Sequence, residues 1–531
     1  MRWFIVFLAS VVMASAASAA PYDVSEKSIA VLDADMAAGR VTSEGLVHAY
    51  LARIEAIDRN GPALRSVISL NPDALTIARA LDEERKAGGP RGPLHGIPIL
   101  IKDNIETADP IPTTAGSLAL ADNITHRDAP IVAKLRAAGA VILGKTNLSE
   151  WANIRSSHSI SGWSAIGGLT KNPYVLDRSP CGSSAGSAVA VSASLAAAAI
   201  GTETDGSLVC PGSINGIVAL KPTLGLLSRT HIVPISHSQD TPGPLTRNVA
   251  DAAILLSVMA GTDPADRATA DADARRSDYS AALTAASLKG HRLAVVPAES
   301  GVGADETDAI YAHAIAALKA SGAEIVEVKN PSAPPDIKKM ELVVLGYELK
   351  HALNAYLAGL PQEGKVRSLA DLIAFDNATP RETVLFGQEI FEQAQTLGDL
   401  SDPAYVAARD RLRDFSRSTL DAIFADNRVD ALVEVTRDPS VRIDVVPHDG
   451  GGYSASFFPA TSGYPHLTLP MGAVRGLPVG ISFIGPAWSE AKLLALGAAF
   501  EKAMPARRAP TYLPSLEDLP EITKAFAPAG G

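Results

Sequence analysis

Apolar residues recur at roughly helical spacing between Val24 and Asn60, at Ala30, Val31, Met36, Val47, Leu51 and Ile54. Gly39 divides that stretch into two predicted helices. Thr42-Ser43-Glu44 opens the second, one residue too short for a capping box. Leu75 to Lys86 reads as a helix ended by Gly88-Gly89-Pro90, and Ile97 to Ile101 as a buried strand. Ile131 to Ala138 is a helix stopped by Gly139, followed by the short apolar strand Ala140 to Leu143. The uncharged Ala/Val/Ser stretch Ser184 to Ser194 predicts a buried helix, and Ala196 to Gly201 a strand after it. Asn248 to Met259 is helical and is closed by Gly261. Farther on, Arg292 to Val296 and Glu324 to Val328 read as strands flanking a helix over Thr307 to Lys319. Val429 to Val435, Leu467 to Leu469 and Val479 to Ile484 are returning strands, and Glu490 to Met504 is the last long helix.

Helices alternating with short apolar strands give an α/β fold, expected as a large mixed central β-sheet with helices on both faces. Residues 337–418 carry few strand signals and read as a helical insertion over the sheet. Two stretches read as irregular. Ser149 to Pro180 is rich in Ser, Gly, Asn and Pro, and long connections of that kind are usually functional. Asp263 to Asp278 is an exposed Asp/Ala/Arg-rich connection. No repeat with a period of 20–50 residues is present.

The first twenty residues differ from the rest. Arg2 precedes the apolar run Trp3 to Met13, broken only by Ser10, and Ala17-Ser18-Ala19 fits a small-residue cleavage site. This predicts a signal peptide over 1–20, a single domain over 21–531, and a secreted or periplasmic product. The alternative is an uncleaved N-terminal anchor. No later segment is long and apolar enough to span a bilayer, so no stable membrane association is expected after signal removal. A 531-residue chain that is 47% hydrophobic has material for a large core. Its net charge of −11, without a basic run to offset it, excludes an electrostatic nucleic-acid footprint. The 11 histidines are scattered and no metal-ligand spacing occurs, so no metal or cofactor is expected. Cys181 and Cys210 are the only cysteines. Export permits a disulfide between them; two buried thiols are the alternative.

Three segments carry candidate chemistry. Thr204-Asp205-Gly206-Ser207 follows a predicted strand, and glycine there allows a sharp turn. Successive N–H groups in such a turn can hold an oxyanion, with Ser207 as nucleophile; a plain polar turn is the alternative. Gly182-Ser183-Ser184-Ala185-Gly186 also fits the G-x-S-x-G elbow, with Ser184 as nucleophile. That elbow must follow a strand, whereas 172–181 reads as loop, so serine caps at a helix N-terminus compete with it. Lys102 ends the apolar run Ile97 to Ile101. Burial can keep a lysine neutral and make it a base, whereas a strand-end lysine can also snorkel to water. A serine hydroxyl is a poor nucleophile until a base takes its proton.

Taken jointly, these segments resemble the amidase signature family. The resemblance rests on His95 to Asn104, the Gly182-Ser183-Ser184 cluster, and Gly201 to Ser207 followed by Pro211 and Gly216 to Thr223. It spans about 25 to 510. Gly144 to Glu150 and Ala460 to Pro465 look like further family segments. It implies Ser207 as the acyl-accepting nucleophile, Ser183 as a proton bridge, Lys102 as base, and a cis peptide at Gly182–Ser183. It also implies an oxyanion hole from the N–H groups of Thr204, Asp205, Gly206 and Ser207. Within the family, Glu203-Thr204-Asp205-Gly206-Ser207, Ile235 to Pro244 and Tyr347 to Tyr356 are most similar to the bacterial peptide amidase branch, which releases ammonia from C-terminal peptide amides. Ala185 replaces a usual Gly or Ser, and Val429 to Thr436 lacks a usual proline.

The expectation is an exported amidase acting on a small-molecule or peptide amide through an acyl-enzyme, without cofactor. Its rivals are an amidase of aryl or fatty acyl amides, the subunit of an aminoacyl-tRNA amidotransferase, and a catalytically silent binding protein on the same scaffold. The acidic balance and the predicted signal peptide oppose the amidotransferase reading.

Overall fold

The computed structural model describes residues 22–297, 304–361, 366–446, 448 and 452–528; the predicted signal peptide lies outside them. The strands are β1 (Val67–Leu70), β2 (Pro98–Lys102), β3 (Val141–Thr146), β4 (Trp163–Ser164), β5 (Gly168–Leu169), β6 (Ala198–Glu203) and β7 (Val218–Lys221). They continue as β8 (Thr241–Thr246), β9 (Arg292–Val295), β10 (Glu324–Glu327), β11 (Ala431–Val435), β12 (His466–Val474) and β13 (Leu477–Ile484). Among the described residues, β4 and β5 form a separate pair and the other strands build one sheet in the order β1-β3-β2-β6-β8-β7-β12-β13-β11-β9-β10. The sheet is mixed: β2 runs parallel to β3 and β6, and β9 parallel to β10 and β11, while the remaining pairs are antiparallel.

Every residue of β2, β3, β6, β11 and β13 is buried. Side chains alternate between the two faces of a strand, so uninterrupted burial means that both faces of the sheet are covered by helices. The helices begin where the chain supplies caps. Thr42 accepts from the Gly45 N–H at 3.0 Å to open Ser43–Arg53, and Asn248 accepts from the Asp251 N–H at 2.8 Å to open Val249–Met259.

Five strands were not expected from the pattern: β1, β4, β5, β7 and β8. The last carries Pro242 and Pro244 in the middle of the sheet, where proline normally breaks a ladder. Register explains the exception. Both prolines share one parity, so their nitrogens face one side, and β7 pairs only with Leu245 and Thr246 of β8. The prolines therefore lie beyond the reach of that ladder.

Between β10 and β11 the described chain is helical, including Pro335–Ala358 and Pro403–Asn427. These two long helices pack through Val344, Tyr347, Tyr405, Ala408 and Leu412. Leu349, Leu353 and Leu357 of the first turn instead toward Leu369, Leu372 and Phe391 in a separate apolar cluster. No helix among the described residues is long and apolar enough to cross a membrane.

Candidate active site

The site forms at the carboxyl ends of two adjacent parallel strands. β2 pairs with β6 through Ile99↔Ala198, Leu100↔Ala199 and Ile101↔Ile200, which brings Lys102 at the end of β2 level with the end of β6. Lys102 is fully buried. Its Nζ lies 2.7 Å from Ser183 Oγ, 2.8 Å from Thr202 Oγ1 and 3.4 Å from the Thr202 carbonyl. Among the described residues it pairs with no carboxylate. Burial lowers its pKa to about 7, against the smaller upward pull of the Asp240 and Glu203 charges. A charged amine only donates to the two hydroxyls, whereas the neutral amine can accept a proton from Ser183.

Ser183 is delivered by the loop before helix Ala185–Ser192, and its peptide bond with Gly182 is cis. The loop is held from both sides. The Ser149 N–H donates to the Ser183 carbonyl at 3.1 Å, and the Ser184 N–H donates to the Ser207 carbonyl at 3.2 Å. The second bond joins the two serine clusters directly. Only glycine fits at 182, because a Cβ there would stand 2.1 Å from Ser149 Oγ. Ser184 is not available as a nucleophile: its buried hydroxyl donates to the Thr202 carbonyl at 3.0 Å and accepts from the Thr202 N–H at 3.2 Å. The segment before it is loop, so the strand required by an elbow is missing.

Ser207 lies in the turn between β6 and helix Val209–Ile214. It is 8% exposed, whereas Lys102 and Ser183 are 0% exposed, so of the three only Ser207 can be touched from outside. The turn is shaped by Gly206, with φ +79°, and by Glu203, whose carboxylate accepts from the N–H groups of Leu208 and Val209 at 2.8 and 3.0 Å. Thr204 is tied by its hydroxyl to Asp240 at 2.6 Å. Among the described residues, the main-chain N–H groups of Asp205, Gly206 and Ser207 donate to no other main-chain group. Burial raises the Asp205 carboxyl above its ordinary range. Neighbouring Glu341 is held well above its own, by burial first and by the Asp205 charge second. A disulfide joins Cys181 to Cys210, with Cα atoms 6.0 Å apart, and so ties the segment before Ser183 to the helix after Ser207. A small cavity of about 40 Å³ beside Thr202 and Thr204, also lined by Asn104 and Asp240, has space for a water-sized group.

The sequence profile described as Amidase matches residues 45–494. The chain belongs to the amidase signature family. It is 40% identical over 488 residues to a probable amidase of Arabidopsis thaliana, covering 89% of each chain. It is 35% identical over 513 residues to one component of the glutamyl-tRNA(Gln) amidotransferase of Salinispora arenicola, covering 91% of this chain and 98% of that protein. The crystal structure of the native peptide amidase from Stenotrophomonas maltophilia superposes with a TM-score of 0.87 at 48% identity, covering 92% of this chain and 99% of that one. Family membership makes this protein a hydrolase of amide C–N bonds.

Several residues around this family site were not singled out from the sequence. Thr202 shares the Lys102 amine with Ser183, and Asn104 donates to Thr202 Oγ1 at 3.1 Å. Asp240 and Glu203 supply the charges that oppose deeper loss of the Lys102 proton affinity. The parallel register of β2 and β6 decides these contacts, and no local motif announces it. Among the described residues, no cluster of His, Cys, Asp and Glu could hold a metal ion.

Proposed function

We propose that this amidase is exported and releases ammonia from the C-terminal carboxamide of peptides, using Ser207, Ser183 and Lys102 in that order of proton transfer. One observation carries the reading: a buried amine, partnered by hydroxyls and by no carboxylate among the described residues, sits 2.7 Å from Ser183 beside the turn that bears Ser207. The similarity to peptide amidase over 92% of the chain supports the choice of substrate.

The Ser207 oxygen attacks the amide carbon while its proton passes to Ser183, whose own proton goes to neutral Lys102. The C=O electron pair moves onto oxygen, which the 204–207 main chain stabilises; one such donor is worth on the order of 3 kcal/mol. Collapse breaks the C–N bond, and the proton returns by the same route to the departing nitrogen as ammonia. Water then attacks the acyl-enzyme with the same proton path and releases the acid. Oxyanion stabilisation and base catalysis come from the chain's own groups.

Ammonia release is measured over a panel of peptide amides, simple aliphatic and aromatic amides, and fatty acyl amides. Peptide amides are expected to give the highest kcat/KM; a clear preference for aryl or fatty acyl amides would replace this reading with its rival. A fluorophosphonate probe is expected to label Ser207, and a label on another serine would overturn the assignment. Intact mass of the exported protein is expected to show loss of residues 1–20.

A further inference from the structure

A second cavity, of about 300 Å³, lies outside the proton path. Helix Pro403–Asn427 lines it with Arg409, Arg413 and Arg417. Positions four apart share one face of a helix, so three guanidinium groups are presented along one wall. His237, Ser238 and Gln239 complete the polar lining. In a chain of net charge −11 this is a local concentration of guanidinium groups.

Among the described residues, three carboxylates stand near the arginines, and they leave Arg417 without an ion pair. Asp410 takes Arg409 at 2.9 Å and Arg413 at 3.2 Å, and Asp414 takes Arg413 at 2.9 Å. Arg417 donates its Nε to the Ser462 carbonyl at 2.9 Å and, among the described residues, forms no ion pair with a carboxylate. Glu348 lies behind the cavity wall, where it accepts from Ser238 and Tyr405 at 2.5 and 2.8 Å and sits 3.3 Å from His237. Burial lowers the His237 pKa, so that ring adds a hydrogen-bonding group rather than a charge near neutrality.

Two walls of the cavity reach the candidate active site. Gln239 donates to the Thr204 carbonyl at 3.4 Å and to Glu341 at 2.9 Å. On the other side, Thr461 and Ser462 end a short helix that begins just after Ser456, and Ser456 Oγ would lie 3.1 Å from a Cβ placed on Gly206. Gln239 and the helix ending at Ser462 thus stand between the cavity and the turn that carries Ser207.

We infer that this arginine-lined cavity is a binding subsite for an oxyanion, a carboxylate or phosphate, held by Arg409, Arg413 and Arg417. Guanidinium groups bind such planar or tetrahedral anions with charge-assisted, often paired hydrogen bonds. The anion has two sources, an acidic side chain on the acyl part of the substrate or a free anion. The substrate source rests on the peptide-amide reading above, and the free-anion source does not.

The test uses the full mature protein and the double variant Arg409→Gln/Arg413→Gln, with a melting curve to verify folding. If that variant does not fold, Arg413→Gln alone replaces it, since this side chain is 40% exposed. First, inorganic phosphate is titrated calorimetrically into the resting enzyme. Saturable binding, weakened at least about tenfold in the variant, is expected. Second, kcat/KM is compared for peptide amides carrying Glu or Gln at each of the three positions upstream of the amidated residue. The Glu peptide is expected to exceed its Gln counterpart about tenfold at one position, through KM, with the ratio falling toward one in the variant or at high salt. Phosphate binding with equal Glu and Gln rates assigns the site to a free anion. Phosphate binding with no peptide amide hydrolysed defeats the substrate reading and leaves the subsite standing. No phosphate binding and no Glu preference, or phosphate binding unchanged in the variant, overturns the inference.

Discussion

Among the described residues, Lys102 is one of three buried lysines, and its surroundings set it apart. Lys145 donates to the Ile105 carbonyl and Thr113 Oγ1, each at 2.7 Å, and Lys221 to the Pro222 carbonyl at 3.1 Å. Burial lowers both to about 8, but the partners named here include no serine hydroxyl. Lys102 is lowered further, to about 7, and its nearest partner is Ser183. A base works only when neutral, so kcat/KM is expected to rise with pH through a midpoint near 7 and to level off above it. A midpoint near the unperturbed 10.5 would mean that burial does not tune this amine. Lys102→Ala is expected to lower kcat on the order of 1,000-fold in the ammonia assay. The neighbouring charge gives a finer test. The Asp240 carboxylate favours protonated Lys102, so Asp240→Asn removes an upward pull and moves the acid limb of the pH profile to lower pH. Movement in the other direction would contradict the electrostatic account.

At the scale of elements, the site depends on how strands and loops are brought side by side. The strands ending at Lys102 and before Ser207 were legible because each is a short apolar run that stops at a polar turn. Their pairing was not legible. Nothing local in Ile97 to Ile101 states that it lies parallel to Ala198–Glu203, and only that register puts Thr202 and Asn104 around the amine. Thr241–Thr246 was missed because Pro242-Gly243-Pro244 carries turn chemistry, which the truncated pairing with β7 makes harmless. Gly182 shows the same dependence on neighbours. Its need for a missing side chain comes from Ser149, 33 positions earlier in sequence. Gly182→Ala is therefore expected to abolish measurable turnover and lower Tm, because its Cβ would stand 2.1 Å from Ser149 Oγ. The double variant Gly182→Ala/Ser149→Ala removes the colliding oxygen and is expected to regain part of both. If the second substitution restores nothing, the contact with Ser149 is not what requires glycine.

For the whole molecule, one sheet sets the site's strands near one edge while the helices between β10 and β11 wall the second cavity, so catalysis depends on contacts between distant parts of the chain. The Cys181–Cys210 disulfide acts at this scale. It closes a 29-residue interval that contains both Ser183 and Ser207. By the chain-entropy model, closing such an interval disfavours the unfolded chain by about 3.5 kcal/mol. The folded site has other ties across the same gap, the Ser184 N–H to the Ser207 carbonyl and the Ser184 hydroxyl to Thr202. The two effects therefore separate. Cys181→Ser/Cys210→Ser is expected to lower Tm in scanning calorimetry while kcat at 25 °C is retained. Adding a thiol reductant to the unsubstituted protein should lower Tm by a similar amount and leave the double variant unaffected. An unchanged Tm would mean that the unfolded chain gains nothing from losing the bond. A collapse of kcat below the melting range would mean that the hydrogen bonds between the serine clusters cannot hold the geometry without it.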